Sequence, residues 1–200
     1  MSPAAAEEEE EEDRCVGVLA IQGAVDKHFA MLERLGVRGV RVLGKEDLAG
    51  LRGLIIPGGE STTISKGLDR LGLFEPIRAF ARAGGRILGT CAGAILLARE
   101  CENHPVPTLE LLDVRAVRNA YGTQVDSFVA QADPGAAANL EGMRCVFIRA
   151  PQIADPGPEV EVLLHVDGLP VLVRQGRILA STFHPELADD PRLHALMLEL

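Results

Sequence analysis

The chain has 200 residues, of which 47% are hydrophobic, and it carries a formal net charge of −9. This length suits one domain with a full hydrophobic core. The sequence has no run of about 18 apolar residues that would span a membrane, no basic stripe for nucleic acid and no positively charged, apolar leader. Its many aliphatic and few aromatic residues are typical of an α/β core.

Much of the negative charge lies in one run near the N-terminus. Every residue from Glu7 to Asp13 is acidic. Like charges repel one another, and the run has no apolar surface to bury. We therefore expect residues 1–13 to be a disordered tail and residues 14–200 to form a single domain.

The four cysteines are widely spaced and form no C-x-x-C pair. They are Cys15, Cys91, Cys101 and Cys145. This spacing argues against a zinc site and against a disulfide framework. We expect free thiols and no bound metal or cofactor, and free thiols favour a cytoplasmic location.

In the first half of the chain, predicted strands alternate with predicted helices. Continuous apolar runs predict buried strands in "CVGVLAIQG", "VRGVRVL", "LRGLIIPGGEST" and "GGRILG". Apolar residues at helical spacing predict helices over 25–35, 62–71, 73–82 and, in "AGAILLARE", 92–100. The alternation predicts a flavodoxin-like three-layer sandwich, in which helices cover both faces of a mostly parallel central sheet.

After residue 109 the pattern changes to closely spaced strands separated by turn residues. The candidates are "LELLDVRAVRNAYG", "QVDSFVA", "RCVFIRAP", "VEVLLHVDG", "LPVLVRQG" and "RILASTF". This spacing predicts a small antiparallel extension built of hairpins, with "VRQGR" as the clearest turn. We expect the last strand to return to the main sheet before a terminal helix over 191–200.

The segment from Gly89 to Gly93, "GTCAG", joins a predicted strand to a predicted helix. Its spacing matches the G-x-S-x-G elbow, a sharp turn that exposes a nucleophile, with the sulfur of Cys91 in place of oxygen. The helix N-terminus that follows would favour a thiolate. The alternative interpretation is a small buried side chain in a tight strand-to-helix turn.

His184, Pro185 and Glu186 close the last β-rich run. In extended backbone, residues i and i+2 lie on the same side, and a proline keeps the residue before it out of the helical region. Glu186 would then hold one imidazole nitrogen of His184 while the other faces a thiol, as in covalent catalysis. The alternative is an ordinary turn, with Glu186 as a carboxylate at the start of the last helix.

The segment "PGGES", residues 57–61, follows a predicted buried strand. Parallel sheets bind ligands at the carboxyl ends of their strands, and a glycine pair lets backbone N–H groups approach a reacting carbonyl. We expect an oxyanion hole formed by the N–H groups of Gly59 and Ala92. A glycine turn capped by Ser61 or Thr62 is the alternative interpretation, and it is compatible with the first.

Together these motifs make the sequence resemble the class I (triad) glutamine amidotransferases, which pair a G-x-C-x-G elbow with a downstream H-P-E. Within that family it is most similar to the glutaminase subunits of pyridoxal 5′-phosphate synthase, over nearly the whole chain from Val16. The motifs behind the closer likeness are "LAIQGAV" with His28, "GGESTT", "RNAYG" followed by "QVDSF", "FIRAP" and "FHPEL".

The resemblance implies that the chain hydrolyses L-glutamine to L-glutamate and ammonia. Cys91 would form a γ-glutamyl thioester, His184 would act as acid and base, and Glu186 would orient His184. The matching positions implied to hold glutamine are Gly59, Glu60, Ser61, Arg118, Ile148 and Arg149. A guanidinium fork suits the substrate α-carboxylate, although either arginine could instead form a surface ion pair.

The resemblance also implies a partner, a (β/α)8-barrel synthase subunit that receives the ammonia and builds pyridoxal 5′-phosphate. Family members are often poorly active until they dock. For this chain we expect the Gly58–Gly59 peptide to rotate on docking, since glycine adopts positive φ freely, and we expect Gln22 to sense the partner. Thr123 departs from the family, which often has a basic residue there, and this change would weaken binding of glutamine or of the partner.

Three other functions share part of this pattern. An amidotransferase subunit of another biosynthetic pathway would have the triad but not "GGESTT", "RNAYG" and "FIRAP". A non-catalytic binding subunit would keep a triad-like site without hydrolysis. A thiol hydrolase or chaperone-like protein on the same sheet would not be expected to pair its cysteine with a C-terminal H-P-E.

Overall fold

The computed structural model describes residues 15–118, 127–134 and 136–200. The expected acidic tail lies outside these residues, as do Thr123 and most of the "RNAYG" motif. Within the described ranges, none of the helices has the length and apolar character needed to cross a membrane.

Helices and strands alternate through the described residues. The strands are β1 (Cys15–Leu19), β2 (Arg38–Val42), β3 (Gly53–Ile56), β4 (Arg86–Thr90), β5 (Ala98–Glu102), β6 (Leu112–Val117), β7 (Ser127–Gln131), β8 (Asp133–Pro134), β9 (Arg144–Ile148), β10 (Gln152–Ala154), β11 (Glu161–Val166), β12 (Leu169–Gln175) and β13 (Ile178–Ser181). The α-helices are α1 (Val25–Arg34), α2 (Ser61–Arg70), α3 (Phe74–Arg82), α4 (Ala92–Leu97) and α5 (Arg192–Glu199). Short 3-10 helices span Lys45–Leu48, Ala138–Leu140 and Pro185–Leu187.

The central sheet has eight strands in the order β2-β1-β3-β4-β13-β12-β11-β8. The first five pair in parallel and the last three are antiparallel. The predicted α/β class, a mostly parallel sheet with an antiparallel extension, is therefore confirmed. The return of the last strand is also confirmed, because β13 pairs in parallel with β4, and so is the hairpin that joins β12 to β13.

Two apolar layers cover the sheet, one on each face. Alternate residues of β3 point to opposite sides, so Leu54 and Ile56 belong to one cluster and Ile55 to the other. The first cluster includes side chains from α2, α3 and α4, and the second includes side chains from α1 and α5. Burial on both faces explains why these strands are continuous apolar runs.

The helix predicted over 92–100 is wrong in its last third. Helix α4 ends at Leu97, and Ala98, with φ −58 and ψ 155, begins strand β5. Alanine, arginine and glutamate favour helix, but here β5 pairs in parallel with β6. Strand pairing outweighs local propensity. Strand β6, which we expected among the antiparallel strands, pairs in parallel with β5 and antiparallel with β10.

Candidate active site

Cys91 occupies the sharp turn between β4 and α4. Its φ of 49 and ψ of −101 lie in a region that residues other than glycine rarely adopt. The backbone N–H of Cys91 donates to the carbonyl of Ser181 at 2.8 Å, which ties the turn to the end of β13. Strained backbone of this kind clusters at functional sites.

The two glycines that frame Cys91 are required by close backbone approach. A Cβ at Gly93 would lie 2.0 Å from the carbonyl oxygen of Ile56, and one at Gly89 would lie 2.7 Å from the carbonyl oxygen of Gly93. Both contacts are with main-chain atoms, which cannot move aside as a flexible side chain can. The glycines therefore relieve crowding at the turn, as the elbow pattern predicts.

His184 and Glu186 form a buried pair. His184 Nδ1 lies 2.7 Å from Glu186 Oε1, and the two residues are 8% and 2% exposed. The backbone differs from the extended run that we expected, because Pro185–Leu187 forms a 3-10 turn. His184 itself, with φ −104 and ψ 88, is outside the helical region, as expected before a proline. The pair thus forms across a turn.

Opposing effects set the charges of this pair. Burial alone would lower the pKa of His184, but hydrogen bonds with Cys91 and Glu186, and their charges, raise it to about 10. Burial alone would raise the pKa of Glu186, but the hydrogen bond with His184 and the electrostatic influence of the nearby His28 and His184 rings lower it. At neutral pH the arrangement therefore holds a protonated imidazole against a carboxylate.

The Gly58–Gly59 segment lies directly against the His184 ring. A Cβ at Gly58 would be 2.4 Å from His184 Cε1. The N–H of Gly58 donates to Thr90 Oγ1 at 2.9 Å, and its carbonyl accepts from the N–H of Ala24 at 3.1 Å. Gly58 and Gly59 are not among the glycines at positive φ. The peptide is therefore held from both sides in this structure.

Gln22 reaches the same segment from the turn after β1. Its Oε1 accepts from the N–H of Glu60 at 2.7 Å. A Cβ at Gly59 would lie 2.4 Å from that Oε1 atom, so a larger residue there would displace the Gln22 side chain. A shift of Gln22 would thus be transmitted directly to the glycine pair.

The start of α2 is capped by Glu60, and not by Ser61 or Thr62 as in the alternative interpretation of this segment. The Glu60 carboxylate accepts from the N–H groups of Thr62 and Thr63 at 3.1 and 2.8 Å. Burial opposes ionisation, but the hydrogen bonds from Thr62 and Thr63 together outweigh it and lower the pKa of Glu60 to about 2. Ser61 is the first helical residue and is buried. Glu60 is therefore a fixed negative charge at this end of the sheet.

The two predicted arginines differ in their surroundings. Arg118 Nη2 lies 3.3 Å from Glu60 Oε1, and its Nη1 donates to the carbonyl of His104 at 2.8 Å. The ion pair that we held open as an alternative is therefore present, but its partner is itself a predicted site residue. Arg149 is exposed, with φ 44, and forms no ion pair within the described part of the chain.

These groups surround one open cavity of about 370 Å³. All the predicted site residues line it except Glu186, which lies behind His184. The predicted residues that line it are Cys91, His184, Gly59, Ala92, Glu60, Ser61, Arg118, Ile148 and Arg149. Gln22, Gly58 and Leu187 also contribute to the wall. Across the described ranges, no group of three or more His, Cys, Asp or Glu side chains is arranged to hold a metal ion.

Sequence reasoning missed a second set of buried polar side chains behind the cavity. They are His28, Thr90 and His194, each 0% exposed. The sequence carried a signal for His28, because Val25, His28 and Leu32 share one face of α1 at helical spacing. A histidine on that apolar face had to find a buried partner.

Comparison with known proteins agrees with this geometry. Residues 18–200 match the SNO glutamine amidotransferase family. The chain is 51% identical to the pyridoxal 5′-phosphate synthase subunit PdxT of Deinococcus radiodurans, with 92% of this chain and 96% of that protein covered. It is 50% identical to a protein of the same name from Thermus thermophilus, over the same shares of the two chains.

Solved structures show the same fold. A crystal structure of a glutamine amidotransferase, 48% identical, superposes with a TM-score of 0.87 over 92% of this chain and 97% of that one. A glutamine amidotransferase from Thermotoga maritima is only 12% identical but has a TM-score of 0.60, with 93% of this chain and 90% of that one covered, which is a likeness of fold alone. By the match over residues 18–200 and the identity with these relatives, the chain belongs to the SNO glutamine amidotransferase family.

Proposed function

We propose that this chain is the glutaminase subunit of a pyridoxal 5′-phosphate synthase, which hydrolyses L-glutamine and passes the ammonia to a synthase subunit. The observation that carries the proposal is the contact of Cys91 with His184 in the cavity wall, with Glu186 behind it. The names of the relatives support the pathway. An amidotransferase of another pathway would share the triad but not this identity.

In the proposed reaction, Cys91 Sγ attacks the side-chain amide carbon of glutamine. His184 Nδ1 is engaged by Glu186, so Nε2 is the nitrogen left to face the sulfur. The protonated imidazole stabilises the attacking thiolate and then gives its proton to the amide nitrogen, and the C–N bond breaks to release ammonia. Neutral His184 next takes a proton from water, which attacks the thioester carbon. The C–S bond then breaks, and glutamate leaves.

Backbone N–H groups would stabilise the negative oxygen that forms in both steps. Ala92 is the first residue of α4, and the first N–H groups of a helix have no partner within it. Gly59 would supply the second donor from the opposite wall of the cavity. We propose that docking of the barrel synthase acts through Gln22, whose contact with the Glu60 N–H positions the glycine pair.

Charged groups in the cavity wall would hold the amino-acid end of glutamine. Glu60 is ionised and can accept from the α-ammonium group, while Arg118 and Arg149 can donate to the α-carboxylate. Ser61 and Ile148 complete that wall. No cofactor takes part in this chemistry. We propose the cytoplasm as its location, since each of the four cysteines is free.

Glu60→Gln tests this assignment. Removing the charge should raise KM for glutamine about 10-fold with kcat within about threefold, because a hydrogen bond to a charged group contributes roughly 1.5–3 kcal/mol and the half-exposed position of Glu60 favours the lower end. Steady-state ammonia release gives both constants. Glu110→Gln is the matched control, since Glu110 pairs with Arg78 at 3.8 Å and does not line the cavity. An unchanged KM in Glu60→Gln would show that the Glu60 carboxylate does not bind glutamine.

The proposed function is tested by measuring glutamine-dependent ammonia release with and without a barrel-type pyridoxal 5′-phosphate synthase subunit. We expect the rate to rise when the synthase is added, together with formation of a stable complex. Stable complex formation with no ammonia in any mixture would make the chain a non-catalytic binding subunit. Ammonia release without complex formation would support glutamine hydrolysis by this chain but would rule out the proposed partner.

A further inference from the structure

A buried polar row lies directly behind the His184–Glu186 pair, and the proposed reaction does not use it. His28 comes from α1, Thr90 from the end of β4 and His194 from α5, so three separate elements converge on one point. All three residues are fully buried. Buried polar groups are costly unless they are paired, so this row calls for a physical reason.

His28 is at the centre of the row. Its Nε2 lies 3.6 Å from Glu186 Oε2 and 3.3 Å from Thr90 Oγ1, and its Nδ1 lies 2.9 Å from His194 Nε2. Thr90 Oγ1 in turn accepts from the N–H of Gly58 at 2.9 Å. One imidazole therefore faces both the carboxylate that holds His184 and the hydroxyl that holds the glycine pair.

The partners of these groups determine which ring nitrogen carries the proton. Burial lowers the pKa of His28, and burial together with the nearby His28 ring lowers the pKa of His194 to about 3. At neutral pH each ring is therefore neutral and carries one N–H. Glu186 Oε2 and His194 Nδ1 have no hydrogen-bond partner among the described residues. A proton on His28 Nε2 faces the Glu186 carboxylate, and a proton on His194 Nε2 is donated to His28 Nδ1.

The opposite assignment is less favourable at both ends of the row. With its proton on Nδ1, His28 would turn a lone pair toward the negative Glu186 oxygen. His194 would then carry its proton on Nδ1, a buried donor without a partner among the described residues. An unpaired buried donor or acceptor costs about 1–3 kcal/mol. With both protons on Nε2, no ring N–H lacks a partner: His28 Nε2 lies 3.3 Å from Thr90 Oγ1 and 3.6 Å from Glu186 Oε2, and the His194 Nε2–H is donated to His28 Nδ1.

We infer that His28 is a positioning residue that directs its Nε2–H at Glu186 and so fixes the carboxylate that orients His184. The inference rests on the proposed function for its kinetic consequence but not for its geometry. His28 touches neither the cavity nor the substrate, so it acts only through Glu186 and, by way of Thr90, through the Gly58 N–H. Residues that orient a functional group from behind are commonly worth about 10- to 100-fold in activity.

The test compares two amides at position 28. In His28→Gln the side-chain NH₂ reaches about as far as the imidazole Nε2 and can still direct an N–H at Glu186. In His28→Asn it reaches only as far as Nδ1, so the contact with Glu186 is lost while the polar character is kept. We expect His28→Asn to lower kcat about 10-fold with KM within twofold, and His28→Gln to stay within about threefold of the parent chain.

A second measurement does not depend on activity. Titration of His184 by ¹⁵N NMR should give a pKa lower than that of the parent by about one unit or more in His28→Asn and nearly unchanged in His28→Gln, because a displaced Glu186 stabilises the imidazolium less. Ser65→Ala removes a buried hydrogen bond to the Pro107 carbonyl away from Glu186, and it serves as a control for lost stability.

The outcomes separate the inference from the proposed function. Equal losses of kcat in both variants with an unmoved His184 titration, or no loss in either, would overturn the positioning role. Absence of ammonia release from the parent chain would overturn the proposed function. In that case, the NMR titration alone would still decide whether His28 holds Glu186.

Discussion

Cys91→Ala is expected to abolish ammonia release, with a loss on the order of 10⁴-fold or more, because the attacking sulfur has no substitute in the cavity wall. Alanine keeps the Cβ that the elbow already accommodates, so we expect the free energy of unfolding to change by no more than about 1 kcal/mol. The assay is ammonia release with the synthase subunit present, and a chemical denaturation curve checks the fold.

Cys145→Ala is the matched control. The Cys145 thiol is buried in β9 and absent from the cavity, and burial with the nearby charge of Asp190 raises its pKa to about 12. This variant should keep ammonia release within about twofold. A glutamine-mimicking electrophile should label the parent chain and the control but not Cys91→Ala. Substantial ammonia release from a correctly folded Cys91→Ala would rule out the thioester route.

Gly93→Ala is expected to have the largest effect on stability, costing about 3–5 kcal/mol of unfolding free energy. The added Cβ would lie 2.0 Å from the carbonyl oxygen of Ile56, so either α4 or β3 must shift. Both elements contribute to the same buried core, which tolerates backbone displacement poorly. The displaced helix would also carry Cys91 away from His184, and ammonia release should fall together with stability. Urea unfolding monitored by circular dichroism measures the loss.

Gly44→Ala separates this steric effect from the general cost of replacing glycine. Gly44 has φ −140, which alanine adopts freely, and a Cβ there would meet only the flexible carboxylate end of Glu46 at 2.7 Å. We expect a change within about 1 kcal/mol. Comparable losses of stability in Gly93→Ala and Gly44→Ala would show that the approach of α4 to β3 is not what requires glycine in the elbow.

Short-range sequence patterns predicted many of the strands and turns around the site. Apolar runs identified β1, β3 and β4, and glycines at fixed spacing identified the turns after β3 and β4. These signals work because a tight turn or a close backbone approach leaves only glycine as an acceptable residue. The family resemblance added the proposed glutamine-binding roles of Glu60, Arg118 and Arg149, which no local rule supplies.

Predictions failed where a distant segment competes with local preference. Most of residues 98–102 favour helix, but the segment forms strand β5 because it pairs with β6. His28 had no assigned role, because its partners are 62 residues away at Thr90 and 166 residues away at His194.

The sequence by itself determined the α/β class, the elbow at Cys91 and the residue types needed for thiol chemistry, since each depends on short-range periodicity or on the space that glycine leaves. Only the tertiary structure decided which groups face one another. The convergence of β3, β4 and β13 places Gly58, Cys91 and His184 around one cavity, and the packing of α1 and α5 places two histidines behind Glu186. Contacts of that kind depend on the crossing of elements far apart in the chain, and no local pattern encodes them.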